Sequence, residues 1–312
     1  MSDLSVPSSP PVPVSPAAPR WFRDAVALRP DHRDVEVDGC PIHFRVWGDE
    51  ELPVLVLVHG GGAHSGWWDH IAPLLTGRHR VVALDLSGHG DSGRRTTYTA
   101  QSWAREVITV ADAVGPGGRP VAHGQPPMIV GHSMGGRVTA SVGVWHGERL
   151  GGIVIIDSPL NDRPPEEELL RRRRRPAKVY ATREEAIAHF VTTPRQDVLL
   201  PYVRRHIAEE SLRRTDGGWT WKFDPTLFGR LRVVLLRDML PELRCRATFI
   251  RSQFGLVPAA MAGEIDALLG YRTPIVELPD AGHHPMFDQP LPLVTALRLL
   301  VTQWVLSTPE VS

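Results

Sequence analysis

The stretch PMIVGHSMGGRV, residues 127–138, predicts a buried strand, a sharp turn and the start of a helix. Within it, Gly131 and Gly135 each lie two positions from Ser133. Small residues are needed at these positions because side chains would collide with the backbone in such a tight bend. The bend lifts the serine hydroxyl above the sheet, and the helix that follows directs backbone N–H groups toward it. The stretch therefore predicts a nucleophilic Ser133; the alternative is a glycine-rich turn with an incidental serine.

Short apolar runs recur on both sides of this turn, separated by stretches with helical periodicity. Uninterrupted apolar runs are typical of strands that are buried on both faces. The Asp38-Gly39 pair between two alternating runs predicts a hairpin. The order of elements predicts an α/β fold with a mostly parallel central sheet covered by helices on both faces. The predicted strands are 54–58, 81–86, 128–130, 153–156, 247–250 and 275–278.

The alternation of strands and helices stops between residues 159 and 245, where the sequence is polar and helix-like without a convincing strand. We interpret residues 159–245 as a helical lid inserted into a core domain formed by residues 21–158 and 246–312. Residues 1–20 are rich in proline and serine, and we expect them to form a disordered tail.

Composition excludes several classes of partner. Lys and Arg number 35, as do Asp and Glu, so no basic face for nucleic acid is expected. No apolar run approaches the ~20 residues that span a bilayer. The N-terminus lacks the features of a secretion signal, and Cys40 and Cys245 have no metal-ligand spacing. We therefore predict a cytoplasmic protein with no metal or organic cofactor, although a disulfide between the two cysteines stays open.

Four motifs together give the sequence a resemblance to the α/β-hydrolase fold family over residues 35–304. They are HGGG at 59–62, DLSGHGDS at 85–92, the serine turn, and AGHH at 281–284. The resemblance implies the fold named above and a serine–histidine–acid hydrolase. Serine rather than aspartate at position 133 argues against the epoxide-hydrolase and dehalogenase branches.

The general base is expected directly after the last predicted strand. A serine hydroxyl is a poor nucleophile until an adjacent neutral imidazole accepts its proton. The resemblance implies His283 in this role, because it follows a glycine in the loop where the family places its histidine. His284 is the competing assignment. His59 and His132 flank glycines in turns, and we interpret them as orienting groups.

The triad acid departs from the pattern of many relatives. They carry an aspartate a few residues after the strand that we place at 247–250, where this chain has Gly255. Some members use the end of the strand beside the nucleophile strand, and there this chain has Asp157. A carboxylate at that position could hold the second imidazole nitrogen of the base. We predict Asp157 as the acid; an aspartate that caps the next turn is the alternative.

The oxyanion hole and the pocket rest on the same resemblance. It implies that the backbone amides of Gly61 and Met134 bind the substrate oxygen. Aromatic residues of the lid could line an apolar pocket, or they could form the core of the lid itself. The pocket candidates are Gly62, Trp68, Trp219, Trp221 and Phe254, with Phe223 and Phe228 as further aromatic residues of the lid.

The predicted reaction is hydrolysis of a small-molecule carboxylic ester, or a related acyl compound, through an acyl-enzyme on Ser133. The same triad could instead serve lactone hydrolysis, carbon–carbon bond hydrolysis or perhydrolysis. An alternative function of another class is that of a non-catalytic ligand-binding receptor on the same fold. The presence of both a nucleophile and a base argues against this alternative.

Overall fold

An eight-stranded sheet forms the centre of the computed structural model, which describes residues 18–115, 125–160, 165–173, 176–232, 234–271 and 275–306. The strands in chain order are β1 Asp31–Val37, β2 Cys40–Trp47, β3 Val54–Val58, β4 Arg80–Leu84, β5 Tyr98–Thr99, β6 Met128–His132, β7 Gly152–Ile156, β8 Val179–Tyr180, β9 Leu212–Thr215, β10 Gly218–Trp221, β11 Leu231–Arg232, β12 Ala247–Phe254 and β13 Val276–Gly282. The sheet order is β1-β2-β4-β3-β6-β7-β12-β13. Strands β1 and β2 are antiparallel to their neighbours, and the remaining pairs are parallel.

Helices cover both faces of this sheet. They are α1 Arg20–Ala27, α2 Ala100–Ala113, α3 Met134–His146, α4 Glu166–Arg173, α5 Arg183–Ala188, α6 Pro201–Glu210, α7 Leu227–Arg230, α8 Leu236–Met239, α9 Ala259–Leu268, α10 Pro285–Asp288 and α11 Pro290–Leu306. Strand β3 shows how the faces form: Val54, Val56 and Val58 pack with α2 and α3, whereas Leu55 and Leu57 pack with α1 and α11. Alternate residues of a strand point to opposite faces, which explains why both kinds of position are apolar. The predicted fold class is confirmed.

The predicted hairpin is present. Val37 pairs with Cys40, and the two turn residues Asp38 and Gly39 have φ values of 48° and 70°. Positive φ at both central positions is the requirement of a tight hairpin turn whose twist matches its strands, and Asp-Gly meets it at low cost.

The segment between β7 and β12, residues 159–245, is named the inserted segment below. The expectation that it contains no strand is wrong. Strands β8, β10 and β9 form a small antiparallel sheet, and β11 pairs with β5 of the core. These strands have between two and four residues and carry arginines and tryptophans, so they are too short and too polar to produce a recognisable apolar run. Helices α5 and α6 of the inserted segment pack on the face of the central sheet that α11 also covers.

The chain ends differ from the expectation in one detail. Residues 1–17 of the predicted tail lie outside the described residues, but Arg20 already begins α1, which buries Phe22 and Ala25. Cys40 and Cys245 are both free thiols, so the disulfide left open by the sequence is not formed. Among the described helices, none combines the length and apolarity needed to cross a membrane.

Candidate active site

Ser133 lies in a strained bend between β6 and α3. Its φ is 55° and its ψ is −117°, a conformation that side chains rarely adopt. The two flanking glycines make the bend possible. A Cβ atom at Gly131 would lie 2.2 Å from Thr139 Oγ1, and one at Gly135 would lie 2.5 Å from the carbonyl oxygen of Val58. The backbone therefore packs against its neighbours at both glycines, and the serine is held above the end of β6.

The three predicted triad residues form a continuous chain of contacts. His283 Nε2 lies 3.0 Å from Ser133 Oγ, and His283 Nδ1 lies 2.7 Å from Asp157 Oδ2. The histidine and the aspartate are buried, whereas Ser133 is half-buried. With the proton on Nδ1 donated to the carboxylate, the Nε2 lone pair faces the serine hydroxyl, which is the arrangement that a general base needs.

Asp157 follows β7 directly, with a φ of 42°. Besides His283, its carboxylate accepts hydrogen bonds from the backbone amides of Ser252, at 3.1 Å, and Leu256, at 2.7 Å. Hydrogen bonds of this kind stabilise an ionised carboxylate without shielding it from the imidazole. These amide donors are residues that the sequence interpretation missed, since backbone groups leave no residue-type signal.

Gly255 and Asp157 compete for one space. A Cβ atom at Gly255 would lie 2.2 Å from Asp157 Oδ2. The two alternative acid positions of the family therefore open onto the same point beside the imidazole. A side chain at position 255 is incompatible with the carboxylate placed at 157, which gives a physical reason for the glycine.

The two neighbouring histidines are not placed as bases. The His284 ring nitrogen Nε2 lies 3.3 Å from the carbonyl oxygen of Pro194, and burial lowers the pKa of this histidine to about 3. His132 Nε2 donates to the carbonyl oxygen of His283 at 2.7 Å. Burial, and secondarily the proximity of His283, holds the pKa of His132 well below its usual range. His132 is thus a neutral donor that fixes the backbone of the histidine loop, in line with its predicted orienting role.

The glycine loop after β3 lies beside the N-terminus of α3. His59 fixes this loop, because its Nδ1 donates to the carbonyl oxygen of Gly60 at 2.7 Å while its Nε2 accepts from the amide of Leu86 at 3.1 Å. Burial lowers the pKa of His59, which favours this neutral form. Phe228 of the inserted segment lies over Gly61, since a Cβ atom there would lie 2.7 Å from Phe228 Cζ and the ring would have to shift.

The pocket candidates fall into different environments. Trp68 is fully buried in the core and has no surface for a substrate, so the prediction that it lines the pocket is wrong. Trp219 is half-buried on β10, and Trp221 on the same strand contacts Tyr180 and Phe190 at ring-centroid distances of 5.8 Å. Both tryptophans of β10 are half-buried and pack against the apolar cluster on this face of the sheet, and their place in the pocket stays a prediction.

Three other candidates lie next to the catalytic loops. Gly62 is exposed, with a φ of 75° and open space around it. Phe254 is exposed and pairs with Gly282 at the end of β12. Phe228 packs over Gly61, and the ring centroids of Phe223 and Phe228 are 5.7 Å apart. The phenylalanine over the glycine loop therefore comes from α7, and its ring partner Phe223 comes from the segment before that helix.

Among the described residues, two groups of side chains have possible metal-ligating atoms within 4.8 Å of one another: His132 with His283 and His284, and His43 with Asp85 and Asp91. In the first group, both ring nitrogens of His283 already face Ser133 and Asp157. In the second group, Asp85 accepts from the amides of Ser65 and Asp91. The central residue of each group therefore has protein partners for its polar atoms.

The chain is similar to known hydrolases in sequence. The family model described as "Alpha/beta hydrolase family" matches residues 55–296. The pimeloyl-[acyl-carrier protein] methyl ester esterase of Edwardsiella ictaluri is 25% identical over 251 residues, which are 78% of this chain and 91% of that protein. The esterase Rv0045c of Mycobacterium tuberculosis is 25% identical over 81% of this chain and 83% of its own length.

Solved structures agree on the fold. The thioesterase domain from the curacin biosynthetic pathway superposes with a TM-score of 0.71 at 20% identity, covering 86% of this chain and 99% of that domain. E-2-(acetamidomethylene)succinate hydrolase gives a TM-score of 0.72 at 21% identity, with 88% and 99% covered. At such identities, the likeness concerns the fold alone.

Proposed function

The chain belongs to the alpha/beta hydrolase family, and from this premise we propose that it is a serine esterase acting through an acyl-enzyme on Ser133. The observation that carries the proposal is the contact chain from Ser133 Oγ to His283 Nε2, at 3.0 Å, and from His283 Nδ1 to Asp157, at 2.7 Å. The names of the two full-length relatives, both esterases, support the same class of substrate.

In the first half of the proposed reaction, Ser133 Oγ attacks the ester carbonyl carbon while His283 Nε2 accepts the hydroxyl proton. The imidazolium that forms is stabilised by the carboxylate of Asp157, which stays ionised. The carbonyl oxygen becomes an oxyanion, for which Gly61 and Met134 are the proposed backbone donors. Such a donor typically contributes about 2.7–4 kcal/mol to the transition state. The imidazolium then protonates the alcohol as it leaves.

In the second half, water takes the place of the alcohol. His283 removes a proton from that water, hydroxide attacks the acyl carbon, and Ser133 leaves with the proton returned to Oγ. No step of this mechanism needs a group other than the residues already placed.

We propose that the inserted segment covers the substrate, with Phe228 as its innermost contact. Phe228 lies over Gly61, one of the proposed oxyanion donors, so an acyl or alcohol group bound there would contact its ring. Phe254 and Gly62 would form the outer rim, because both are exposed beside the catalytic loops. The ligand is therefore a small ester whose carbonyl end is enclosed and whose far end reaches the rim.

The test is hydrolysis of p-nitrophenyl esters of graded acyl length by the wild type and by Ser133→Ala. Methyl esters belong in the panel, since one of the esterase relatives is named for a methyl ester. We expect turnover by the wild type and a loss of about 10⁴-fold or more in Ser133→Ala, as for other serine triads. Lactones and carbon–carbon substrates in the same panel separate the alternative reactions.

A second readout separates an esterase from a ligand receptor. A fluorophosphonate probe reacts with an activated serine, so we expect it to label the wild type on Ser133 and not to label His283→Ala. A wild-type protein that is folded, is not labelled and hydrolyses none of the panel would contradict the proposed function.

A further inference from the structure

The loop that carries His283 is held by a glutamine from the inserted segment. Gln196 Oε1 accepts from the backbone amide of His284 at 2.8 Å, and Gln196 Nε2 donates to Asp288 Oδ2 at 2.9 Å. The same Asp288 oxygen accepts from the backbone amide of Gly282 at 2.6 Å. One side-chain amide thus connects, directly or through one carboxylate, the residues on both sides of His283.

The fit between Gln196 and this loop is close. A Cβ atom at Gly282 would lie 2.5 Å from Gln196 Cδ, so the glutamine occupies the space over the glycine that precedes the base. The backbone of Gln196 is itself fixed, because its N–H donates to Thr192 Oγ1 at 3.1 Å. Nearby, the amide of Leu200 donates to the carbonyl oxygen of Phe287 at 2.9 Å. The segment before α6 therefore runs along the histidine loop and contacts it at several points.

The core contacts the backbone of His283 through His132, whose Nε2 donates to the carbonyl oxygen of His283 at 2.7 Å. That contact fixes the position of one peptide group but leaves the peptide on each side to other partners. Gln196 and Asp288 supply those partners. The imidazole ring of His283 must keep Nε2 directed at Ser133 and Nδ1 directed at Asp157 at the same time. A misplacement of about 1 Å in such a group can lower a rate by about 10²-fold.

Resting on the proposed function, we infer that Gln196 is a positioning residue for the catalytic histidine. It contacts neither the serine nor the acid; it acts through the backbone on either side of His283. The inserted segment is then more than a cover for the substrate, because it also sets the alignment of the base. Sequence spacing gives no indication of this role, since His283 lies 87 positions after Gln196.

The test compares Gln196→Met with Gln253→Met in the intact chain. Methionine keeps the volume of glutamine and loses its hydrogen bonds. Gln253 is a matched control because its Oε1 accepts from the backbone amide of Asp280. Asp280 lies on β13, three residues before His283. For Gln196→Met we expect kcat to fall about ten-fold or more with KM within two-fold. Gln253→Met should keep both values.

Proton NMR provides a readout that does not depend on turnover. The Nδ1 proton of His283, hydrogen-bonded to Asp157, should give a downfield signal in the wild type and in Gln253→Met. In Gln196→Met we expect it to broaden or shift. If Gln196→Met does not fold, Gln196→Glu replaces it, because it keeps the acceptor for His284 and loses the donor to Asp288.

The outcomes separate the two proposals. An unchanged Nδ1 signal in the Gln196 variant, a kcat within two-fold of the wild type, or a rise in KM alone would overturn the positioning role. If the wild type hydrolyses no ester, the proposed function fails, while the NMR comparison still decides whether Gln196 aligns the imidazole.

Discussion

The central sheet and the inserted segment are joined to the rest of the molecule by different forces. Strand β3 is buried along all of its length and packs through apolar side chains on both faces. Helix α6 of the inserted segment also buries apolar residues, but it is linked to the core by charges. Arg45 pairs with Asp69 at 2.8 Å and with Glu210 at 2.9 Å, and His206 contacts Asp69 at 2.9 Å.

Apolar contacts and charged contacts differ in how far they fix the orientation of the parts that they join. Apolar burial is strong but non-directional, whereas charge-assisted hydrogen bonds fix an orientation. The sheet therefore supplies a rigid frame from which Ser133, Asp157 and His283 project. The inserted segment is oriented on that frame by polar pairs, at Arg45 and at Gln196. Changes in the frame should alter chemistry, and changes in the polar pairs should alter stability or alignment.

The largest effect is expected for Asp157→Asn, at the end of β7 in the central sheet. Asparagine keeps the size of the side chain but cannot stabilise the imidazolium or hold the same tautomer, so kcat should fall by about 10⁴-fold. Steady-state kinetics measure the effect, and circular dichroism checks that the fold is retained. Turnover near the wild-type rate would remove Asp157 from the triad.

Arg45→Met tests the charged link of the inserted segment. The guanidinium is buried, and its removal would leave Asp69 without its main counter-charge. Breaking one partner of a buried ion pair typically costs about 3–5 kcal/mol, and we expect a loss of that size in the free energy of unfolding, measured by urea denaturation.

Arg20→Met is the control for this change, because the Arg20–Asp24 pair is exposed on α1 and should contribute no more than about 1 kcal/mol. Equal destabilisation by the two variants would show that the buried network does not orient the inserted segment.

Gly255→Ala tests the close approach to the triad acid. The added methyl group would meet the carboxylate of Asp157, which must then shift away from His283. We expect kcat to fall by about 10²-fold, the size of effect that a small displacement produces. Gly263→Ala on α9 is the control, since its Cβ would meet open space. A Gly255→Ala enzyme with wild-type kcat would show that the carboxylate can move without loss.

The smallest effect expected from one measurement to the next is the change of stability with pH. Burial lowers the pKa of His70 to about 4 and that of His284 to about 3, below the value of about 6.5 expected in the unfolded chain. Below that value the unfolded chain binds more protons than the folded chain, so stability is complete above about pH 6.5 and decreases as the pH falls toward 4.

Each such histidine contributes a slope of at most about 1.4 kcal/mol per pH unit. Urea denaturation at several pH values should therefore give a shallower slope for His70→Gln than for the wild type. Identical slopes would mean that His70 binds its proton over the same pH range in the folded protein as in the unfolded chain.

The frame could be predicted from the sequence because its signals are local. Uninterrupted apolar runs located β3, β4, β6 and β7 to within two residues, and the Asp38-Gly39 pair located the hairpin. The glycines around Ser133 report a steric requirement that only small residues meet. Asp157 could be predicted as the acid because a glycine at position 255 leaves the end of β7 as the other place for a carboxylate.

The inserted segment could not be predicted equally well because its determinants are not local. Strands β8 to β11 have two to four residues, too few for a periodic pattern. The partners of Arg45 come from two distant parts of the chain, and Gln196 meets Asp288 only in the fold. The burial of Trp68 in the core could not be predicted either, since a tryptophan beside a glycine motif carries no signal of its burial.

Attack by Ser133 on an ester carbonyl is tested most directly by rapid-quench mass spectrometry of the wild type mixed with a p-nitrophenyl ester. We expect a burst of p-nitrophenol equal to one acyl group per active site, and the mass of that acyl group on the peptide containing Ser133. Ser133→Ala should show neither signal. Ester hydrolysis without an acylated serine, or with the acyl group on another residue, would contradict the proposed mechanism.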